Sequence, residues 1–270
     1  MRASPGRPLA IVSAMHEELH ALLPLLESAQ QVRLGGREFH SGRIQGHDVV
    51  LALTGIGKVA AALTTTLAIQ RFDAQALVFT GVAGGLGDGV AIGDLVLARE
   101  LLQHDLDASP LFPRYEVPLT GCSRFAASAA LSDAVHSAAL RCIQRGAFSG
   151  IQRGALPSQA TRTPRLHEGL VISGDRFIAT AAQSIALRAA LPDALAVEME
   201  GAAVAQVCAA FNTPFAVLRT ISDRADDAAH GDFAAFIADV ASVVTRCVVQ
   251  EWLAGRDASG GGCTGRLGSQ

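Results

Sequence analysis

Three stretches of the chain place carboxylates where an apolar run gives way to polar residues. Phe215-Ala216-Val217-Leu218-Arg219-Thr220-Ile221-Ser222-Asp223 reads as a buried strand ending in Ser and Asp. A carboxyl group at the end of a sheet strand, tuned by burial and neighbours, can work as an acid; a helix N-cap is the plain structural alternative for Asp223. Val197-Glu198-Met199-Glu200 puts two carboxylates at the exit of another apolar strand, directly before the small-residue helix Gly201-Ala202-Ala203-Val204-Ala205. Alternate residues of an extended chain point to opposite sides. One of the pair, Glu198 by preference, can favour the positive end of the helix, which leaves Glu200 for a ligand hydroxyl. His16-Glu17-Glu18 follows a third apolar run and serves equally as the acid-rich first turn of a helix, Glu17 above all.

Other constellations offer less. Gly81-Val82-Ala83-Gly84-Gly85-Leu86-Gly87 would let backbone amides approach a flat ligand or a phosphate closely. It has neither the Gly-Lys-Ser/Thr ending of a P-loop nor the order of a dinucleotide fingerprint, and a tight strand-to-helix turn explains it as well. His104, Asp105 and Asp107 lack a complementary His or Cys pair, so no metal is expected. The absence of a Gly-x-Ser-x-Gly elbow gives Ser-His-Asp hydrolysis no support. Cys122, Cys142, Cys208, Cys247 and Cys263 are odd in number and widely spaced, which predicts ordinary reduced thiols.

The elements that must carry these residues alternate in type. Leu9 to Val12 is a strand, and Glu17 to Leu26 has helical spacing. Two strands over 37–54 meet at Gln45-Gly46, and Gly57-Lys58 opens an Ala-rich helix to about Arg71. Strands follow at 76–80, 94–101, 169–173, 194–197 and 215–221, with helices near 132–145, 200–211 and 232–253. The segment from His104 to Gly121, with Pro110, Pro113 and Pro118, is a long excursion. Ile143-Gln144-Arg145-Gly146-Ala147 nearly recurs as Ile151-Gln152-Arg153-Gly154-Ala155, a local duplication within an insertion near 146–165. Such alternation predicts a single α/β domain over 9–254 with a central mixed sheet flanked by helices, and ligands beyond the carboxyl ends of its strands. Disorder is expected for 1–8 and, from its Gly and Ser, for 255–270.

With 270 residues, half of them hydrophobic and 17% charged, the chain can bury a sizeable core. A net charge of -3 and 22 scattered Lys and Arg give no field for a phosphate backbone, so no nucleic-acid partner is expected. Apolar runs stop short of the roughly 20 residues of a membrane span, and the first eight residues hold no apolar core of a secretory signal. A cytoplasmic protein off the membrane is the expectation.

Six blocks in chain order resemble the methylthioadenosine/S-adenosylhomocysteine nucleosidases of the purine nucleoside phosphorylase superfamily. They are Ser13-Ala14-Met15-His16-Glu17-Glu18, Thr54-Gly55-Ile56-Gly57-Lys58-Val59-Ala60-Ala61, Thr80 to Leu86, Ile172-Ser173-Gly174-Asp175-Arg176-Phe177-Ile178, Val197 to Gly201 and Arg219 to Asp226. The resemblance spans about residues 9 to 250 and implies a twisted sheet, a homodimer and an adenine nucleoside cleaved without a cofactor. By carry-over, Asp223 would protonate N7 of the leaving purine with Ser222 orienting it, and Glu18 would activate water with Arg219 nearby. Phe177 would lie against the base and the main chain of Ile178 would read its edge. Glu200 would hold the ribose hydroxyls beside Met199, and Ala83 and Gly84 would line the site through their backbone. Two departures stand out. Val82 replaces the usual Ser of the glycine run, which weakens a phosphorylase reading because phosphate loses a hydroxyl partner; the insertion near 146–165 precedes the base-binding segment. Leu111-Phe112-Pro113 is expected to cover a thioether tail, from the neighbouring subunit. Other nucleosidases of the superfamily, a phosphorylase and a non-catalytic nucleoside-binding module remain the alternatives.

Overall fold

The computed structural model describes residues 6–148, 163–225 and 236–260. Each central strand is apolar over most of its length, with its polar residues towards the carboxyl end, and its period of two divides it between two cores. In β1 (Leu9–Ser13), Ala10 and Val12 enter one core while Leu9 and Ile11 enter the other. The same division holds in β5 (Ala76–Gly85) and β10 (Phe215–Asp223). The first core is covered by α2 (Lys58–Phe72) and α5 (Gly201–Ala210), whose Ala61, Ala68, Ala202 and Ala205 let helix and sheet approach closely. The second is covered by α1 (His16–Leu22), α3 (Ala129–Gln144) and α6 (Ser242–Gly260). Within it Trp252 and Leu253 of α6 are fully enclosed.

The remaining strands are β2 (Glu27–Leu34), β3 (Arg37–Ile44), β4 (His47–Leu53), β6 (Leu95–Gln103), β7 (Arg124–Ala126), β8 (Leu166–Ser173) and β9 (Ala194–Glu198). They form one mixed sheet in the order β10-β6-β8-β9-β5-β1-β4-β3-β2, with β7 beside β6. Strand β10 also pairs with β5, so β5, β10, β6, β8 and β9 close into a ring. The expected α/β domain and mixed sheet are present.

Several expectations need correction. The run Gly81 to Gly85 is no turn: it continues β5, paired on one side with β10 and on the other with β9. The first helix stops at Leu22, with a 3-10 turn Leu23–Leu25 around Pro24 and then the unforeseen β2. This strand is polar and exposed, so it carried no apolar alternation; it is an edge held by β3. An unforeseen helix, α4 (Ala181–Ala190), starts at Thr180, which accepts from the amide of Gln183 at 3.3 Å while Gln183 returns to the amide of Ala179. The last helix follows a π turn (Ile237–Ala241) and runs through Gly255 to Gly260. Residues 149–162 of the insertion, 1–5, 226–235 and 261–270 lie outside the described residues.

The reading of all cysteines as reduced thiols is also corrected. Helices α3 and α6 pack side by side, which brings Cys142 and Cys247 to a Cα separation of 6.4 Å and joins them in a disulfide. A pair 105 residues apart in sequence is set by helix packing, which spacing does not reveal. Cys122 and Cys208 are free.

Candidate active site

One cavity opens at the carboxyl ends of β5, β9 and β10 and is lined by Val82, Ala83, Gly84, Phe177, Ile178, Met199, Glu200, Ser222 and Asp223, among others. Strand β10 reaches it through a register shift between Ile221 and Asp223, which leaves Ser222 as the extra residue. Bulges of this kind re-aim a side chain beside a site. The Ser222 hydroxyl donates to Asp223 Oδ2 at 2.7 Å, and the Ala225 amide donates to Oδ1 at 2.7 Å. Asp223 thus sits fixed against Gly84, its partner in β5. A side chain at Gly84 would crowd both Ala225 and the Asp223 carboxylate, which is why glycine is needed there.

The two carboxylates after β9 divide as their alternation implies. Glu198 turns inward and accepts the amides of Glu200 and Gly201, the hydroxyl of Ser173, and Arg219 Nη2 at 2.6 Å. It caps α5 and neutralises a guanidinium that is wholly buried. Glu200 turns to the cavity, where its Oε1 accepts the Gly57 amide at 2.8 Å. Burial, with the negative charge of Glu198 added, pushes the Glu200 carboxyl up to about 7.

Glu18 and Arg219 do not line the cavity; they lie behind it, each with no exposed surface. The Arg219 guanidinium stacks over Phe79 at 3.9 Å, and its Nε and Nη1 have no hydrogen-bond partner among the described residues. A planar cation tolerates this on an aromatic face better than an ammonium would. Burial raises the Glu18 carboxyl to about 7, opposed by the Arg219 charge and by the hydroxyl of Thr245, which donates at 3.0 Å. Glu18 Oε2 has no partner among the described residues.

The far wall is a loop held by charges. Phe177 is 42% exposed over the cavity and Ile178 is buried beneath. The segment before them is anchored by Asp175, which accepts the Lys58 amide at 2.8 Å and donates its own amide to Asp105 at 2.8 Å. Lys58 Nζ completes the cluster on Asp105 at 2.6 Å. Asp105, considered earlier only as a metal ligand, therefore ties the Phe177 loop to the Gly57 loop that holds Glu200. Among the described residues no three His, Cys, Asp or Glu side chains converge as metal ligands would.

The structure thus gathers Ala83, Gly84, Phe177, Ile178, Met199, Glu200, Ser222 and Asp223 around one space, with Glu18 and Arg219 in a second layer. Residues missed by sequence reasoning include Ala14, Met15 and Ile56 of the lining, and Ser173, Lys58 and Thr245 behind it. All of these but Thr245 fall within a quoted block and were recoverable from it. Leu111 is 85% exposed, and the Leu111-Phe112-Pro113 segment is not part of the lining of its own chain.

Comparison with known proteins agrees with this architecture. The family model of the phosphorylase superfamily matches residues 8–250. The 5'-methylthioadenosine/S-adenosylhomocysteine nucleosidase of Neisseria meningitidis, solved with methylthio-immucillin-A, is 33% identical with a TM-score of 0.80, over 93% of this chain and 100% of that one. The corresponding nucleosidase of S. pneumoniae, with the transition-state inhibitor MT-ImmA, is 31% identical with a TM-score of 0.77, over 91% and 98%. The futalosine hydrolase of Helicobacter pylori is 32% identical with a TM-score of 0.79, over 92% and 98%. The chain belongs to the phosphorylase superfamily, among its nucleosidases.

Proposed function

We propose that this protein hydrolyses the N-glycosidic bond of 5'-methylthioadenosine, S-adenosylhomocysteine or both, releasing adenine and the 5-thio-ribose. The observation that carries the reading is the placing of Asp223 and Glu200 on one cavity with Phe177 across it. Adenine anion is a poor leaving group, so Asp223 gives N7 a proton as the bond from C1' to N9 breaks. Acid assistance of this kind supplies roughly 10²- to 10⁴-fold in rate. The sugar becomes cation-like, and the Glu200 carboxylate at its hydroxyls stabilises that charge. Water then bonds to C1' and yields its proton to Glu18.

Water is favoured over phosphate as nucleophile by the cavity itself. Val82 lines it in place of a hydroxyl, and the segment after β1 lines it with Ala14 and Met15, with His16, Glu17 and Glu18 opening α1 beyond them and no arginine in the segment. Futalosine is the second reading, supported by the 32% identity to a futalosine hydrolase. A homodimer also fits, since Leu111-Phe112-Pro113 lies off its own cavity and would reach a substrate tail only in a second copy.

The test is adenine release from methylthioadenosine, with and without phosphate, for wild type and Asp223→Asn. Release independent of phosphate is expected, with kcat reduced roughly 10²- to 10⁴-fold in the variant and KM changed little. Phosphate-dependent release would make the protein a phosphorylase. No release from any adenine nucleoside, with turnover of futalosine, would establish the second reading. Binding without turnover of any nucleoside would leave a binding module.

A further inference from the structure

We propose that Thr245 of α6 is a positioning residue for Glu18, holding one carboxylate oxygen so that the other takes the proton of the attacking water. The inference rests on the reading of Glu18 as the group that activates water. Thr245 lies 227 residues from Glu18, and α6 crosses α1 so that the two side chains meet inside the protein. Its Oγ1 donates to Glu18 Oε1 at 3.0 Å, with Glu18 wholly buried and Thr245 2% exposed. The hydroxyl has a single proton, which goes to one oxygen of the carboxylate; Glu18 Oε2 has no partner among the described residues. Thr245 and the Met15 backbone thus hold the Glu18 carboxyl group, and Oε2, buried without a partner among the described residues, is the oxygen assigned to the water.

The same contact bears on when Glu18 is ionised. A donated hydrogen bond favours the charged form of a carboxylate. The charged groups acting on Glu18 are Arg219 from β10, which favours ionisation, and Glu17 of its own helix, which opposes it. Helix α6 presents the neutral Thr245. Burial places Glu18 at about 7, so any loss of a stabilising donor moves its ionisation through the neutral range.

The experiment is the pH dependence of kcat and KM for methylthioadenosine in Thr245→Val, Thr245→Ser and Glu18→Gln, with thermal unfolding of each. Valine keeps the shape and removes the donor. The acid limb of kcat in Thr245→Val is expected to move up by about one pH unit. At pH 6 this lowers kcat about tenfold, while KM and the alkaline plateau stay within about twofold. Serine should restore the wild-type profile. An unmoved acid limb in Thr245→Val beside an inactive Glu18→Gln would overturn the positioning role alone. So would a loss equal at every pH that serine does not rescue. A fully active Glu18→Gln would overturn the water-activating role of Glu18 and, with it, this inference. If Thr245→Val unfolds, Thr245→Ala is read against the same outcomes.

Discussion

Glu18 and Glu200 are carboxylates whose ionisation the fold resists. Burial raises both to about 7 from an ordinary value of 4.5. Because the folded value lies above the unfolded one, the stability linked to each is complete below about 4.5 and is lost as pH rises through about 7. Glu18→Gln and Glu200→Gln should therefore unfold at higher temperature than wild type at pH 8, with the gap closing near pH 4. Thermal melts across that range check it; equal melts at pH 8 would refute the burial cost. Stability gained at the expense of activity is common at functional sites. Glu200 and Asp223 were legible because each stands where an apolar strand ends, whereas Glu18 was singled out only by the resemblance, since an acid-rich first helical turn explained it as well. Thr245 was not, since nothing within an apolar helix distinguishes a threonine that serves a distant carboxylate from one that fills a core.

The element that decides the site's geometry is β5. Its Gly81 is in register with Arg219 of β10, and a side chain there would overlap the Arg219 guanidinium. Gly81→Ala should displace Arg219 from Glu198, lower stability by about 1–3 kcal/mol and lower kcat. Urea unfolding with steady-state kinetics checks this, and a variant with wild-type stability and kcat would show that the guanidinium has room to move. The glycines were visible in the sequence, but glycine marks both a turn and a strand that another group must approach closely. Pairing with β10 and β9 decides between them, and pairing is a property of distant segments. For α4 the local signal existed: Thr180-Ala181-Ala182-Gln183 has the spacing of a reciprocal helix cap. Polar β2 had no such signal, because an exposed edge strand needs no apolar face.

At the scale of the molecule, the alternation of apolar runs was enough for the layered α/β architecture, because each buried strand must be apolar on both faces. The closure of β5, β10, β6, β8 and β9 was not legible, as it depends on register rather than on composition. Light scattering is expected to give a homodimer, and Leu111→Asp to raise KM for methylthioadenosine several-fold while the fold of each chain stays intact, since Leu111 is 85% exposed on its own chain. An unchanged KM would remove Leu111 from the substrate tail. The Cys142–Cys247 bond has a separate consequence. It closes a covalent loop that contains Phe177, Glu198, Glu200, Arg219 and Asp223 and leaves Glu18 outside. A single backbone cut anywhere between the two cysteines would thus yield two polypeptides that remain one molecule, tied together at the helices beneath the sheet.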